Sequence, residues 1–207
     1  MKFDESRKQP AGFFQALPSV AFPAIAFGLL LFLLGMGFHP PLFAEEPLLS
    51  SFGTGPARVI LYTDYFCPPC RGLEPRLEPL IVDLMNQSAI HLIFVDTPIH
   101  PQSPVYARQF LYALNFKKDF QHALFVRSAL FEAAENQIIE KKKLGEFIRK
   151  KGIEFIPFDV SSILAVWNRT LQEDKIDSTP TIMIQRGIKK EIFKGPVDIL
   201  KALQELK

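Results

Sequence analysis

The sequence predicts an α/β layered domain behind an N-terminal membrane-spanning helix, and three observations carry that prediction. Val20–Phe38 is nearly continuous hydrocarbon. The apolar run Val59-Ile60-Leu61-Tyr62 leads into a helical pattern and then into a second apolar run, His91–Asp96. After a long helical stretch, the chain closes with a strand pair and a short helix. An order of strand, helix, strand, helical block, hairpin, helix is the pattern of helices layered on a sheet.

From Gln9 to Ala44 no residue is Lys, Arg, Asp or Glu. At about 1.5 Å per residue, a helix over Val20–Phe38 covers roughly 28 Å, enough for the roughly 30 Å hydrocarbon core of a bilayer. Lys2, Arg7 and Lys8 precede it, and Glu45 and Glu46 follow. That bias predicts a cytoplasmic N-terminus and an extracytoplasmic remainder. The competing reading is a signal peptide cleaved after Ala44 and a secreted product, which Leu42 disfavours by standing where a small residue is preferred. The expected organisation is a short cytoplasmic segment over 1–18, an anchor over 19–38, a Pro-, Gly- and Ser-rich linker with an edge strand over 39–57, and a folded domain over 58–207.

Within that domain, Arg58–Tyr65 reads as a buried strand. Pro68 to about Asn86 reads as a helix, with Pro68 suited to its first turn and Leu73, Leu77, Leu80, Ile81 and Leu84 on one stripe. Pro75 and Pro79 are expected to bend or restart it, since each lacks a donor and crowds the carbonyl four residues back. His91–Asp96 is the second strand. A helical block of about 101–177 follows, with Tyr106, Phe110, Leu111 and Leu114, then Phe120, Leu124, Phe125 and Ala129, then Leu144, Phe147 and Ile148 at helical spacing. Ile163–Leu171 makes a further helix. Thr181–Ile184 and Ile188–Phe193 flank a turn at Arg186-Gly187, which predicts a hairpin. Gly195-Pro196 breaks the chain before a terminal helix, Val197–Leu206.

The 207 residues carry 24 Lys and Arg against 22 Asp and Glu, a formal net charge of +2. The charges are mixed in sign along the chain, which gives no basic stripe for nucleic acid. The only two cysteines stand in Cys67-Pro68-Pro69-Cys70, directly after the first strand. Two thiols are too few for a disulfide framework or a four-thiolate zinc site, and so spaced they can close a ring of their own. The four histidines, His39, His91, His100 and His122, are scattered. No metal or cofactor is called for.

Thr63-Asp64-Tyr65-Phe66-Cys67-Pro68-Pro69-Cys70, Asp96-Thr97-Pro98-Ile99-His100-Pro101 and Ser178-Thr179-Pro180-Thr181, taken in this order, resemble the thioredoxin-like thiol:disulfide oxidoreductases of the DsbA type. The resemblance covers most of Arg58–Lys207. It implies a thioredoxin-like fold with a helical insertion between the second core strand and the hairpin. It also implies a cis Thr179-Pro180 bond facing a redox-active Cys67–Cys70 pair, with Phe66, Thr179 and Pro180 contacting substrate. Protein thiols or disulfides outside the cytoplasm are the implied substrates, and a membrane redox partner the implied source or sink of electrons.

Disulfide exchange needs a thiolate, and Cys67 at a helix start gains from the aligned peptide dipoles. Cys70, one turn on, is expected to be more buried and to resolve the mixed disulfide. Pro68 and Pro69 both lack an N–H, so they tune the couple by leaving only later amides, such as that of Cys70, to face the Cys67 sulfur. No His stands between the cysteines, as it does in the strongly oxidising relatives. Leu61 also occupies the position, six before Cys67, where thioredoxins and many DsbA-like proteins place a buried acid. Together these features predict a milder redox centre. Asp64 is expected to hold a loop by hydrogen bonding. The alternatives are a reductase or isomerase serving cytochrome c maturation, and a thioredoxin-like binding, chaperone or copper-binding module without enzymatic activity.

Overall fold

The computed structural model describes residues 48–207; the expected anchor and the segments before it lie outside the described residues, as does the first half of the linker. Among the described residues no helix is long and apolar enough to cross a membrane. The elements are β1 (Ser51–Phe52), β2 (Ala57–Thr63), α1 (Pro68–Asn86), β3 (Ile90–Asp96), α2 (Ser103–Phe116), α3 (Phe120–Glu135), α4 (Lys141–Lys150), α5 (Ser161–Glu173), β4 (Thr181–Arg186), β5 (Lys189–Lys194) and α6 (Pro196–Gln204).

One five-stranded sheet, ordered β1-β3-β2-β4-β5, organises them. β2 and β3 are parallel, with Leu61 opposite Phe94 and Thr63 opposite Asp96. Their connection is α1, the helical crossover that parallel strands require. β4 runs antiparallel to β2 and places Thr181 beside Tyr62. Five of the seven residues of β2 are buried without a break at its C-terminal end, as are those of β3. Such continuous apolar strands belong to a sheet covered on both faces. The edge strand expected in the linker is present as β1 and is only two residues long, because pairing with β3 is limited to Ser51 and Phe52.

Two sequence expectations are corrected. α1 runs unbroken from Pro68 to Asn86, so neither Pro75 nor Pro79 restarts it. Both prolines lie on its exposed face, so the carbonyls they leave unbonded are turned to water, while Leu73, Leu77, Ile81 and Leu84 anchor the opposite face in the core. Phe125, placed on the apolar stripe of α3, is half exposed. The position on that stripe is taken instead by Arg127, fully buried between Leu124 and Leu130.

Helices α2 to α5 lie between β3 and β4 in the chain, and Trp167 of α5 is buried with them. α6 packs on α1, and their buried residues Leu77, Ile81, Ile199 and Leu203 belong to the same core. The first turn of α1 and the loop before β4 thereby meet at the C-terminal end of the central strand β2, where the two thiols lie.

Candidate active site

β2 ends at Thr63, and the four residues after it fold back on Asp64. The Asp64 carboxylate accepts from Phe66 N (2.8 Å), Ile99 N (2.9 Å), His100 N (3.3 Å) and Ser103 Oγ (2.6 Å), and its Oδ1 lies 3.0 Å from His100 Nδ1. One acid therefore ties the turn before Cys67 to the turn before α2. The loop-holding role expected for Asp64 is what the geometry displays.

Cys67 is the N-cap of α1, in extended conformation (φ −75°, ψ 114°), with Pro68 opening the helix. A side chain at this position normally accepts from the second or third helical N–H. Here the second helical residue is Pro69, and the Cys70 N–H donates to the Cys67 carbonyl (3.1 Å), as does that of Arg71 (3.1 Å). No backbone donor caps the Cys67 side chain. The expectation that the Cys70 amide remains for the sulfur is corrected: the first turn of the helix uses it.

The Cys67 thiol donates to the Thr179 carbonyl at 3.4 Å. Thr179-Pro180 is a cis peptide bond, and the loop that carries it is fixed by Thr181 Oγ1 donating to the Ser178 carbonyl (2.8 Å) and by Gly195 N donating to the Pro180 carbonyl (2.9 Å). Cys67 is 5% exposed, Cys70 is fully buried, and both are free thiols. Burial pushes the Cys70 thiol well above the ordinary range, and the neighbouring Cys67 thiol adds to the rise. The Asp64 backbone opposes it, favouring the thiolate. Thr179 Oγ1 is buried and has no hydrogen-bond partner among the described residues.

The predicted residues thus divide into three groups. Cys67, Cys70, Thr179 and Pro180 come together. Pro68 and Pro69 stand exposed at the helix start. Phe66 is half-buried beside them, with its ring 4.9 Å from Tyr106 and 6.3 Å from His100.

Sequence reasoning missed a buried charged layer beneath α1. Arg127 of α3 donates from Nε to Glu74 Oε1 (2.8 Å) and from Nη2 to Glu74 Oε2 (2.9 Å), and from Nη2 also to Thr63 Oγ1 (3.1 Å). Its guanidinium lies 4.4 Å from the centre of the Phe94 ring, and its Nη1 is 3.6 Å from Asp96 Oδ1. Burial opposes the Arg127 charge, and Glu74 more than reverses that effect. Asp96 accepts from the Tyr65 hydroxyl at 3.2 Å. Burial raises the Asp96 carboxyl to about 7 against the lowering pull of Arg127 and Tyr65. A signal was present in the sequence: Glu74 falls on the Leu73–Leu77 stripe and Arg127 on the Leu124–Leu130 stripe, two opposite charges at core positions.

On the other face of the sheet, the Tyr62 hydroxyl and Lys190 Nζ both donate to Asp174, beyond the end of α5. Among the described residues no three His, Cys, Asp or Glu side chains converge on a metal-sized site.

Residues 53–199 match the thioredoxin family profile. No curated protein sequence matches the chain. Among solved structures, a periplasmic thioredoxin-like protein from Salmonella enterica serovar Typhimurium is 20% identical, with 79% of this chain and 92% of that one covered at a TM-score of 0.59. A putative protein-disulfide isomerase from Pseudomonas syringae is 16% identical, covering 78% and 98% at 0.62. Wolbachia pipientis alpha-DsbA1 is 14% identical, covering 76% and 89% at 0.59. At these identities the likeness is one of fold.

Proposed function

The chain belongs to the thioredoxin family, and from that premise we propose that it is a thiol:disulfide oxidoreductase acting on proteins outside the cytoplasm through the Cys67–Cys70 couple. The observation that carries this reading is the Cys67 sulfur held at a helix start, 3.4 Å from the Thr179 carbonyl, with Cys70 buried behind it.

In the oxidising direction, a substrate thiolate attacks Cys67 Sγ of the disulfide form. The Cys67–Cys70 bond breaks, a mixed disulfide forms, and Cys70 leaves as a thiolate that takes up a proton. A second substrate thiolate then attacks the substrate sulfur, and the Cys67 thiolate departs with the pair of electrons. The reverse sequence reduces a substrate disulfide, with Cys67 attacking and Cys70 resolving. Burial of Cys70 makes it a reluctant leaving group, and the proline pair leaves the Cys67 sulfur without a capping N–H. Both favour a milder oxidant than a thiolate-stabilising site. Phe66, Thr179 and Pro180 flank the sulfur and offer an apolar ring and a strand-like edge to an extended substrate segment.

Residues 19–38 tether the domain to the bacterial cytoplasmic membrane, with the thiols on the outer side. That placement brings Cys67 to a membrane redox partner that resets the couple. It is supported by the uncharged stretch Gln9–Ala44 and the basic residues before it. Alkaline extraction of membranes tests it: an anchored chain stays in the pellet, and a cleaved one is released.

Insulin reduction tests the activity. The wild-type chain precipitates insulin chains with dithiothreitol as the electron source, and Cys67→Ser reduces the rate to the uncatalysed level. A Cys67→Ser chain with full activity would remove the enzymatic reading.

A further inference from the structure

Away from the thiols, a groove of about 470 Å³ opens between α2, α4 and the chain that follows α4. Lys141, Lys142 and Arg149 stand around it, against one acid, Glu146. None of the three cations has an ion-pair partner among the described residues. Their neighbours do: Lys143 pairs with Glu140 at 3.0 Å and Lys151 with Glu132 at 2.6 Å.

Two further features make this more than a basic surface. Gln109, from α2, is only 6% exposed, lines the groove, and has a carboxamide Nε2 with no hydrogen-bond partner among the described residues. A buried donor left unpaired is costly and calls for an acceptor oxygen. Gly145 sits in the middle of the ten-residue α4, where glycine weakens a helix. A β-carbon there would stand 3.5 Å from Phe155 Cζ and 3.9 Å from Arg149 Nη1, in the space between α4 and the Phe155 ring. The Arg149 guanidinium already lies over the Phe155 ring, 4.3 Å from its centre, so that its edge of N–H groups is held in place before any ligand arrives.

We propose that this groove binds a small organic anion, an aromatic or apolar body bearing a carboxylate or phosphate. The anionic oxygens meet Arg149, Lys141, Lys142 and the Gln109 Nε2–H, and the body lies against Phe155 and Tyr112. The volume suits such a ligand, since small-molecule sites typically occupy about 300–1,000 Å³. The site is independent of the thiol couple.

Calorimetric titration of the full chain with phenyl phosphate tests the proposal. The expected result is saturable one-to-one binding, with inorganic phosphate roughly tenfold weaker because it lacks the ring. Arg149→Gln weakens phenyl phosphate roughly tenfold or more through loss of a charge-assisted pair, and leaves insulin reduction unchanged. Gly145→Ala raises the melting temperature by relieving the helix and at the same time weakens binding by narrowing the groove. Absence of saturable binding, equal affinity for inorganic phosphate, or undiminished affinity in both variants would overturn it.

Discussion

Asp64 and Asp96 close the ends of adjacent strands and are both buried, yet they sit in opposite chemical conditions. Asp64, beside the thiols, is surrounded by donors: three backbone N–H groups, the Ser103 hydroxyl and the His100 ring. Asp96, in the charged layer beneath α1, has one Tyr65 hydroxyl and a guanidinium 3.6 Å away, and its Oδ1 has no hydrogen-bond partner among the described residues. Its carboxyl is accordingly pushed up to about 7 by burial. The contrast teaches that burial alone does not define a polar site. The region that positions the reacting sulfur is satisfied bond by bond, and the layer below it holds two acids against a single guanidinium.

The strongest way to break that contrast is to remove the cation. Arg127→Met leaves Glu74 and Asp96 buried without their partner, and urea unfolding should register a loss of about 3–5 kcal/mol. A loss under about 1 kcal/mol would mean that the layer is solvated and contributes little.

Asp96 offers a test through pH. Its folded value lies above the ordinary carboxylate value of about 3.9, so the folded state holds a proton that the unfolded state has released. Stability from this group is full below pH 4 and is lost as pH climbs to about 7, by an amount on the order of 3–4 kcal/mol. Asp96→Asn should flatten that interval and exceed the wild-type chain in stability at pH 8. An unchanged pH profile would assign the dependence to other groups.

On the satisfied side, Asp64→Asn replaces one acceptor oxygen by a donor that faces N–H groups. A cost of about 2–3 kcal/mol is expected, with slower insulin reduction as the turns before Cys67 and α2 loosen together. Equal loss of stability with unchanged turnover would confine Asp64 to folding.

The smallest effect concerns the sulfur itself. Pro69→Ala restores an N–H at the second helical position, where it can cap Cys67. One such bond to a thiolate, at about 1.4 kcal/mol, corresponds to about 30 mV toward a more oxidising couple. Equilibration with glutathione measures it, and a shift toward a more reducing couple would refute the tuning role of the prolines.

Much of this was legible in the sequence, and for local reasons. The strand before Cys67, the helix from Pro68 and the hairpin after Pro180 are written in short-range apolar patterns and turn residues. The loop role of Asp64 follows from its place at a strand end. What stayed hidden depends on distance along the chain. The Arg127–Glu74 pair joins residues 53 positions apart, and Tyr65–Asp96 joins residues 31 apart. Glu74 and Arg127 each fall on the apolar stripe of their own helix, but neither stripe names the other as its partner until α3 is docked on α1. The uninterrupted course of α1 through Pro75 and Pro79 was missed for a related reason: each proline breaks a helix locally, and the core contacts of Leu73, Leu77 and Ile81 override both.

The central claim is that Cys67 attacks and Cys70 resolves. Trapping with an unfolded disulfide-bonded protein tests it directly, read by mass spectrometry under non-reducing conditions. Cys70→Ser should accumulate a mixed disulfide through Cys67, and Cys67→Ser should accumulate none. A mixed disulfide carried by Cys70 in the Cys67→Ser chain, with none on Cys67 in the Cys70→Ser chain, would contradict the account.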